Sequence, residues 1–394
     1  MADAHKAVLI GVAAAAFLGP FTQTVYAPSL PELGTYFGIN TVLVNLTISL
    51  FTAILAVSNF VVGPLADRRG RRAVLLPGLL AFTAGSLLCL VAASYWVFLA
   101  GRVVQAIGIS TALLVAPTVI GDIYPPKERA PAMAVFQTVM FLGPVFGPVV
   151  GGLIAAYLHW QWAFALLAAG GLAAWFYNRS RLAETLPADL VPVRFTLAAL
   201  GAVLANRAAL AIIVLGFSQF FGYYVFLVFL PLLLQTFFPH STSAGGLFFV
   251  PLTAGILAGI NLGGRWSKRW DGARIVGASA FAIGCNVLLF WAALATGLMN
   301  VPLLVALLLA YGLLLGCSLP VQSAMLVNLF AQGKGTAVGL YNSSRFAGAS
   351  IGPIAGGFIS LAFGIDAVFL TLGLLLLGAA WLVRRHLADR HDMP

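Results

Sequence analysis

Across 394 residues, 61% are hydrophobic and only 8% charged, and a mean hydropathy of +1.01 leaves too little polar surface to coat a water-soluble globule. The net charge of +10 is dispersed over short segments between apolar runs and forms no basic-aromatic stripe, so nucleic acid is not an expected partner. Cys89, Cys285 and Cys317 all fall inside apolar runs at no ligand spacing, which predicts small core residues, with neither disulfides nor a metal site.

A helix needs about 20 apolar residues to cross the hydrocarbon of a bilayer. Twelve such runs are predicted, over residues 7–30, 41–66, 73–93, 95–120, 131–157, 161–178, 208–236, 243–264, 273–296, 301–327, 335–361 and 364–383. Under that topology 19 of the 21 Lys and Arg lie in segments on the side of the N-terminus, and the other two, Arg102 and Arg345, lie within runs. By the positive-inside rule both termini are then cytoplasmic, in what is expected to be a bacterial inner membrane. Residues 1–30 place Lys6 ahead of an apolar stretch, as a secretory signal would, but 11 further spans make them a retained first helix.

Along the chain, span 1 closes on Thr24-Val25-Tyr26-Ala27-Pro28-Ser29-Leu30-Pro31, followed by Glu32. Span 2 gives way to the charged loop Gly63-Pro64-Leu65-Ala66-Asp67-Arg68-Arg69-Gly70-Arg71-Arg72, in which Gly63 allows close approach of a neighbouring helix and Gly70 a tight turn. Span 4 holds Arg102 and Gln105 within Gly101-Arg102-Val103-Val104-Gln105-Ala106-Ile107-Gly108. A guanidinium inside the membrane costs at least ~2.5 kcal/mol, so it must face a partner or a wet cavity. In span 5, Pro144 and Pro148 remove backbone hydrogen bonds and bend the helix, while Gly143, Gly147, Gly151 and Gly152 let a partner approach; a packing hinge explains the same residues. His159-Trp160-Gln161-Trp162 reads as an interfacial anchor on the outer face.

A polar stretch over 179–207 separates residues 1–178 from 208–394, predicting two halves of six spans each, joined by a cytoplasmic linker. Gly147-Pro148 and Gly151-Gly152 recur as Gly352-Pro353 and Gly356-Gly357. The charged loop recurs as Gly263-Gly264-Arg265-Trp266-Ser267-Lys268-Arg269, with Ser267 where the first half has Asp67; these are parallel repeats. Span 11 carries Arg345 in Tyr341-Asn342-Ser343-Ser344-Arg345-Phe346.

The loop from Gly63 to Arg72, with Leu75 beyond it, resembles the signature G-x-L-A-D-R-x-G-R-R of the major facilitator superfamily of transporters. The resemblance implies an all-α membrane protein of twelve transmembrane helices in two bundles around a central cavity. It also implies a conformational latch of Gly63, Asp67, Gly70, Arg71 and Asp122, with Asp67 facing Lys334-Gly335-Thr336 at the start of helix 11 and Arg71 paired with Asp122. The alternative is that the loop's arginines only obey the positive-inside rule. Gly143 to Gly152 is similar to the G-P-x-x-G-P-x-x-G-G of the family's drug exporters, Tyr26 to Pro31 to their Y-x-P-x-L-P, and the span-4 segment to R-x-x-Q-G-x-G. The chain departs from these patterns at Ala106, at Gln161 of a W-R-W turn, and at Thr24, where the exporters often place an acid.

None of the 11 acidic residues sits in mid-span, which leaves Glu32 as the substitute proton carrier, or else as an inert rim acid. By resemblance Arg102 serves substrate binding or proton transfer; a structural arginine is the alternative. Gln23, Tyr26, Gln105, Gln219, Tyr223, Gln322 and Arg345 are the further cavity candidates, with ordinary packing as their bland reading. No phosphate loop, metal spacing or nucleophile motif is present, so neither catalysis nor a cofactor is expected. The expected function is export of small amphipathic or drug-like molecules by a monomeric, proton-coupled secondary transporter. An uptake or facilitative carrier of a polar or anionic metabolite and a membrane scaffold or sensor without flux are the alternatives.

Single cysteines at Ser94, Gln161 and Asn300 should react with an impermeant thiol reagent from outside the cell. Protection of all three, with labelling of the charged loop instead, would reverse the orientation.

Overall fold

The computed structural model describes residues 2–186, 197–237, 249–330 and 332–387. Regular structure among them is entirely helical: α1 (Ala2–Thr24), a 3-10 turn (Ala27–Ser29), α2 (Leu30–Phe37), α3 (Thr41–Arg69), α4 (Arg71–Leu90), α5 (Tyr95–Ile123), α6 (Pro126–Tyr157), α7 (Gln161–Arg181), α8 (Leu197–Ala205), α9 (Arg207–Phe237), α10 (Phe249–Trp266), α11 (Gly272–Ala295), α12 (Val301–Asn328), α13 (Lys334–Phe363) and α14 (Ile365–Leu387). Among the described residues ten segments have the length and hydropathy to cross a membrane, the first continuing from His5 to Phe37 through α1 and α2. The α7 and α10 helices, of 21 and 18 residues, complete the predicted twelve. Part of the run predicted at 243–264 and much of the polar stretch at 179–207 lie outside the described residues. Within that stretch α8, nine apolar residues long, is a helix that the polar composition around it does not predict.

Local chemistry sets the ends. Asn40, Ser94, Asp271 and Asn300 each accept a backbone N–H with the side chain at the start of α3, α5, α11 and α12. Span 1 is broken where Pro28 and Pro31 follow one another.

The chain forms two compact units. Unit 1 comprises Met1–Pro125, Val135–Ala199 and Phe330–Ser343; unit 2 comprises Pro126–Ala134, Leu200–Leu329 and Ser344–Pro394. Each unit therefore includes the opening turns of a helix, α13 or α6, from the other half of the sequence. Inside unit 1, α5 touches α1, α3 and α4, and α7 lies on α1 and α4. Inside unit 2, α12 touches α9, α10 and α11, and α14 lies on α9 and α11. The same pairing of corresponding helices is the structural form of the sequence repeat. The α5 span is 83% buried, whereas those of α6 and α13 are 22% buried and leave Phe146, Val149, Leu153, Ile354 and Phe358 exposed, as a hydrocarbon solvent allows.

Apolar helices in lipid gain little from the hydrophobic effect, so close packing of small residues has to hold them together. In unit 2 a Cβ on Gly259 or Gly263 of α10 would collide with the Leu313 or Cys317 carbonyl of α12, and one on Gly316 with the Ile256 carbonyl. In unit 1 Cβ atoms on Gly143, Gly147 and Gly151 of α6 would meet the Phe21 backbone nitrogen, the Thr24 hydroxyl and the carbonyl of Val25, the residue just after α1, while Gly152 meets nothing. The α6 helix is unbroken through Pro144 and Pro148, the latter exposed. Gly151→Ala should therefore destabilise the protein by about 1–3 kcal/mol through overpacking, whereas Gly152→Ala should leave thermal unfolding in detergent unchanged. Equal melting of the two variants would remove the α1–α6 approach from the account.

Candidate functional site

The charged loop is the densest polar site of unit 1. Gly70 adopts φ +102°, a conformation that glycine tolerates, and so separates α3 from α4 in a single residue. That turn aims Asp67 at the N-terminus of α13, where helix N–H groups lack intrahelical partners and the helix dipole favours an anion. Asp67 Oδ1 accepts the Gly335 N–H at 2.9 Å, and its Oδ2 accepts the Thr336 N–H at 2.7 Å and the Thr336 hydroxyl at 2.9 Å. Gly63 makes this possible, since a Cβ there would meet the Gly335 carbonyl oxygen at 2.6 Å.

Arg71, 2% exposed, donates from Nη1 to Asp67 at 2.9 Å and to the Ala66 carbonyl at 2.7 Å, and from Nε to Asp122 at 3.0 Å. Lys334 donates to Asp122 Oδ1 at 2.9 Å and to the Gly121 carbonyl at 3.0 Å. Two buried carboxylates thus meet two cations with their hydrogen bonds filled, the condition under which buried charge is tolerated. One pairing and one participant are not evident from sequence. Lys334 turns its ammonium to Asp122, and Glu184, just beyond α7, accepts the Arg71 and Arg72 N–H groups at 2.7 and 3.1 Å, capping α4. An exposed acid in a polar stretch carries no periodic signal that could have marked it.

Deeper in unit 1, Arg102 is fully buried. Its Nη1 donates to Gln105 Oε1 at 2.8 Å and its Nη2 to the Tyr26 hydroxyl at 3.3 Å. The guanidinium lies 4.3 Å from the Phe51 ring centroid and 4.5 Å from that of Tyr26. Gln105 donates onward to Ser86 at 2.7 Å, and Tyr26 OH shares a hydrogen bond with Thr47 Oγ1 at 3.1 Å. No carboxylate takes part among the described residues; aromatic faces and amide oxygens stabilise the cation instead, each aromatic face contributing roughly 0.5–2 kcal/mol. Arg102, Gln105 and Tyr26 are thus brought together, with no solvent exposure in this conformation.

In unit 2, Gln322 donates to Gln219 Oε1 and to Ser318 Oγ, both at 2.9 Å, and Gln219 donates to Ser318 at 2.9 Å, all three side chains fully buried. Arg345 lies over the Phe220 ring at 3.9 Å. Gln23 and Tyr223 are half-buried in their respective units, the Tyr223 ring against Phe220 and Tyr224. Glu32 stands apart from Arg102, exposed and 3.3 Å from His159 Nδ1. The expected outer anchor divides: Trp162 is exposed, but Trp160 is 1% exposed and packs against Phe37, Phe98 and Phe164 as a core residue.

The sequence profile of the Major Facilitator Superfamily matches residues 12–300 and 275–392. The chain belongs to that superfamily. Among its superfamily relatives are a chloramphenicol resistance protein of Pseudomonas aeruginosa, 31% identical over 158 residues covering 40% of this chain and 38% of that protein, and multidrug resistance protein MdtL of Salmonella paratyphi B, 30% identical over 187 residues covering 48% and 47%. The matched stretches thus span less than half of these relatives. Superfamily structures with the same fold include the human organic anion transporter MFSD10 (TM-score 0.78, 20% identity, 96% of this chain and 99% of that one). The proton:xylose symporter XylE superposes similarly (TM-score 0.77, 15% identity, 98% and 96%).

In this member of the superfamily Arg102→Ala should cost on the order of 3 kcal/mol in unfolding free energy, since it strips Gln105 and Tyr26 of a buried charged partner. Arg102→Lys should recover less than half of that, because an ammonium lacks the planar fork. Thermal unfolding in detergent measures both, and wild-type melting of either variant would contradict the bonding described.

Proposed function

We propose that the chain is a secondary active transporter that exports small amphipathic, drug-like molecules by alternating access and draws on the proton gradient to do so. It sits in a bacterial inner membrane with both termini cytoplasmic. The observation that carries this reading is the seat of Asp67 on the N-terminus of α13, bonded at the same time to Arg71. Such a helix-terminus contact is worth about 0.3–2 kcal/mol, small enough to break and large enough to shift a near-balanced conformational equilibrium severalfold. Asp67, Arg71 and Asp122, with Gly63 and Gly70 permitting their approach, act as the latch of one transport state. The drug-resistance names of two relatives support export of such substrates.

Arg102, Gln105, Tyr26 and Gln23 within unit 1, and Gln219, Gln322, Tyr223 and Arg345 within unit 2, are each unit's candidate groups for substrate and offer hydrogen-bond donors and aromatic faces. This set favours anionic or carbonyl-rich molecules over lipophilic cations, which need a carboxylate. Because Arg102, Gln105, Gln219 and Gln322 are buried in this conformation, substrate reaches them only after their present bonds are exchanged.

One observation favours the second reading, a facilitative carrier. Glu32 is exposed beside His159, and Asp67 and Asp122 are held in ion pairs, so no mid-span carboxylate is available among the described residues. Proteoliposome flux separates the two. A proton moved across 100 mV contributes about 2.3 kcal/mol, or a roughly fifty-fold substrate gradient, whereas a facilitator only equilibrates. Asp67→Asn should insert normally and lower flux severalfold; wild-type flux with unchanged accessibility of both cavity mouths would remove the latch.

A further inference from the structure

The two repeats of the charged loop have opposite fates. Four ion pairs lie in unit 1, three of them in the Asp67, Arg71, Asp122 and Lys334 cluster. In unit 2 the corresponding segment has Ser267 at the position of Asp67, and its hydroxyl bonds only back to the Gly264 carbonyl at 2.9 Å. Arg265, Lys268 and Arg269 are all exposed there. Trp266 and Trp270, one helical turn apart by the Trp270 N–H to Trp266 carbonyl bond of 2.8 Å, are 47% and 64% exposed.

The same end of unit 2 carries the close of α14. The α11 and α14 helices pack together, and a Cβ on Gly277 would meet Val383 at 3.9 Å, which brings Arg274 to the neighbourhood of Arg384 and Arg385, all three exposed. Arg385 lies over the Trp381 ring at 5.2 Å, and Trp381 is itself 57% exposed. Cations and indoles at the end of apolar helices match the depth at which phospholipid phosphates and glycerol esters lie, and each such cation near an anionic membrane surface contributes about 1 kcal/mol of attraction.

We propose that this face of unit 2, centred on Arg265, Trp266, Lys268, Arg269 and Trp270, is a binding site for the headgroup of an anionic phospholipid. The cations take the phosphate and the indoles lie against the glycerol and upper acyl chain. The site is independent of what the protein transports.

Native mass spectrometry of the full chain released from micelles containing phosphatidylglycerol or phosphatidylcholine tests it. Wild type should bind the first phosphatidylglycerol in preference to phosphatidylcholine. Arg265→Gln/Lys268→Gln/Arg269→Gln should weaken that binding about fivefold per charge, on the order of a hundredfold in all, whereas Arg68→Gln/Arg69→Gln in unit 1 should change it less than twofold. Brominated phosphatidylglycerol should quench tryptophan fluorescence less in Trp266→Phe/Trp270→Phe than in wild type. An equal loss in the unit 1 variant, an unchanged preference in the triple variant, equal quenching in the tryptophan variant, or displacement of the lipid by glycerol phosphate would each overturn the proposal.

Discussion

Hydrocarbon offers a charge nothing to replace water, and this constraint orders the rest of the molecule. A buried ion must find partners inside the protein or stay at a helix end. The chain meets the demand in two ways. At the charged loop, Asp67 and Asp122 are balanced by Arg71 and Lys334 and by the N–H groups of α13. In the interior, Arg102 is held by the polarised edges and faces of neutral groups. The glycines follow from the same constraint, because a carboxylate can reach the α13 backbone only where Gly63 and Gly335 let the helices close.

The internal repeat preserves the helix pairing while the chemistry diverges. Corresponding helices touch in both units, yet the buried polar core is a guanidinium with one glutamine in unit 1 and two glutamines with a serine in unit 2. The bond of Arg129 to Asn328, at the start of α6 and the end of α12, occupies the place that Lys334 and Asp122 hold at the start of α13 and the end of α5. An amide in place of a carboxylate leaves a hydrogen bond but no ion pair. A neutral acceptor holds a cation less strongly than a charged one, by roughly a factor of two.

How much of this was legible follows from how each feature is encoded. The helices and the charged loop could be read because apolar runs are long and charges rare, so that Asp67 and the glycines around it stand out at fixed spacing. The rings around Arg102 could not: Tyr26, Phe51 and Phe164 come from three different segments, and no local period records which aromatic residues will converge. Trp160 reads as an anchor because it neighbours Trp162 in sequence, but a single residue at the start of a helix is enough to turn one indole into the core and its neighbour outward. Glu184 was invisible for the opposite reason, being one ordinary surface acid whose role arises from the backbone N–H groups it reaches.

Fold and chemistry therefore carry different information in this chain. A twelve-helix likeness at 20% identity or less fixes the helix framework and is shared by an organic anion transporter and a sugar symporter, so it cannot select a substrate. What the framework does not require is an arginine stabilised without a counter-charge, a glutamine pair in the matching unit, and the absence of a mid-span carboxylate among the described residues. Ring faces accommodate a cation, as those of Phe51 and Tyr26 do for the Arg102 guanidinium, whereas N–H donors offer charge-assisted hydrogen bonds only to an anion or a carbonyl, and these are strong in a low-dielectric setting. Arg102 meets Gln105 through Nη1, Tyr26 through Nη2 and the faces of Phe51 and Tyr26, while its Nε has no hydrogen-bond partner among the described residues, so neutral groups hold the cation without completing its donor set.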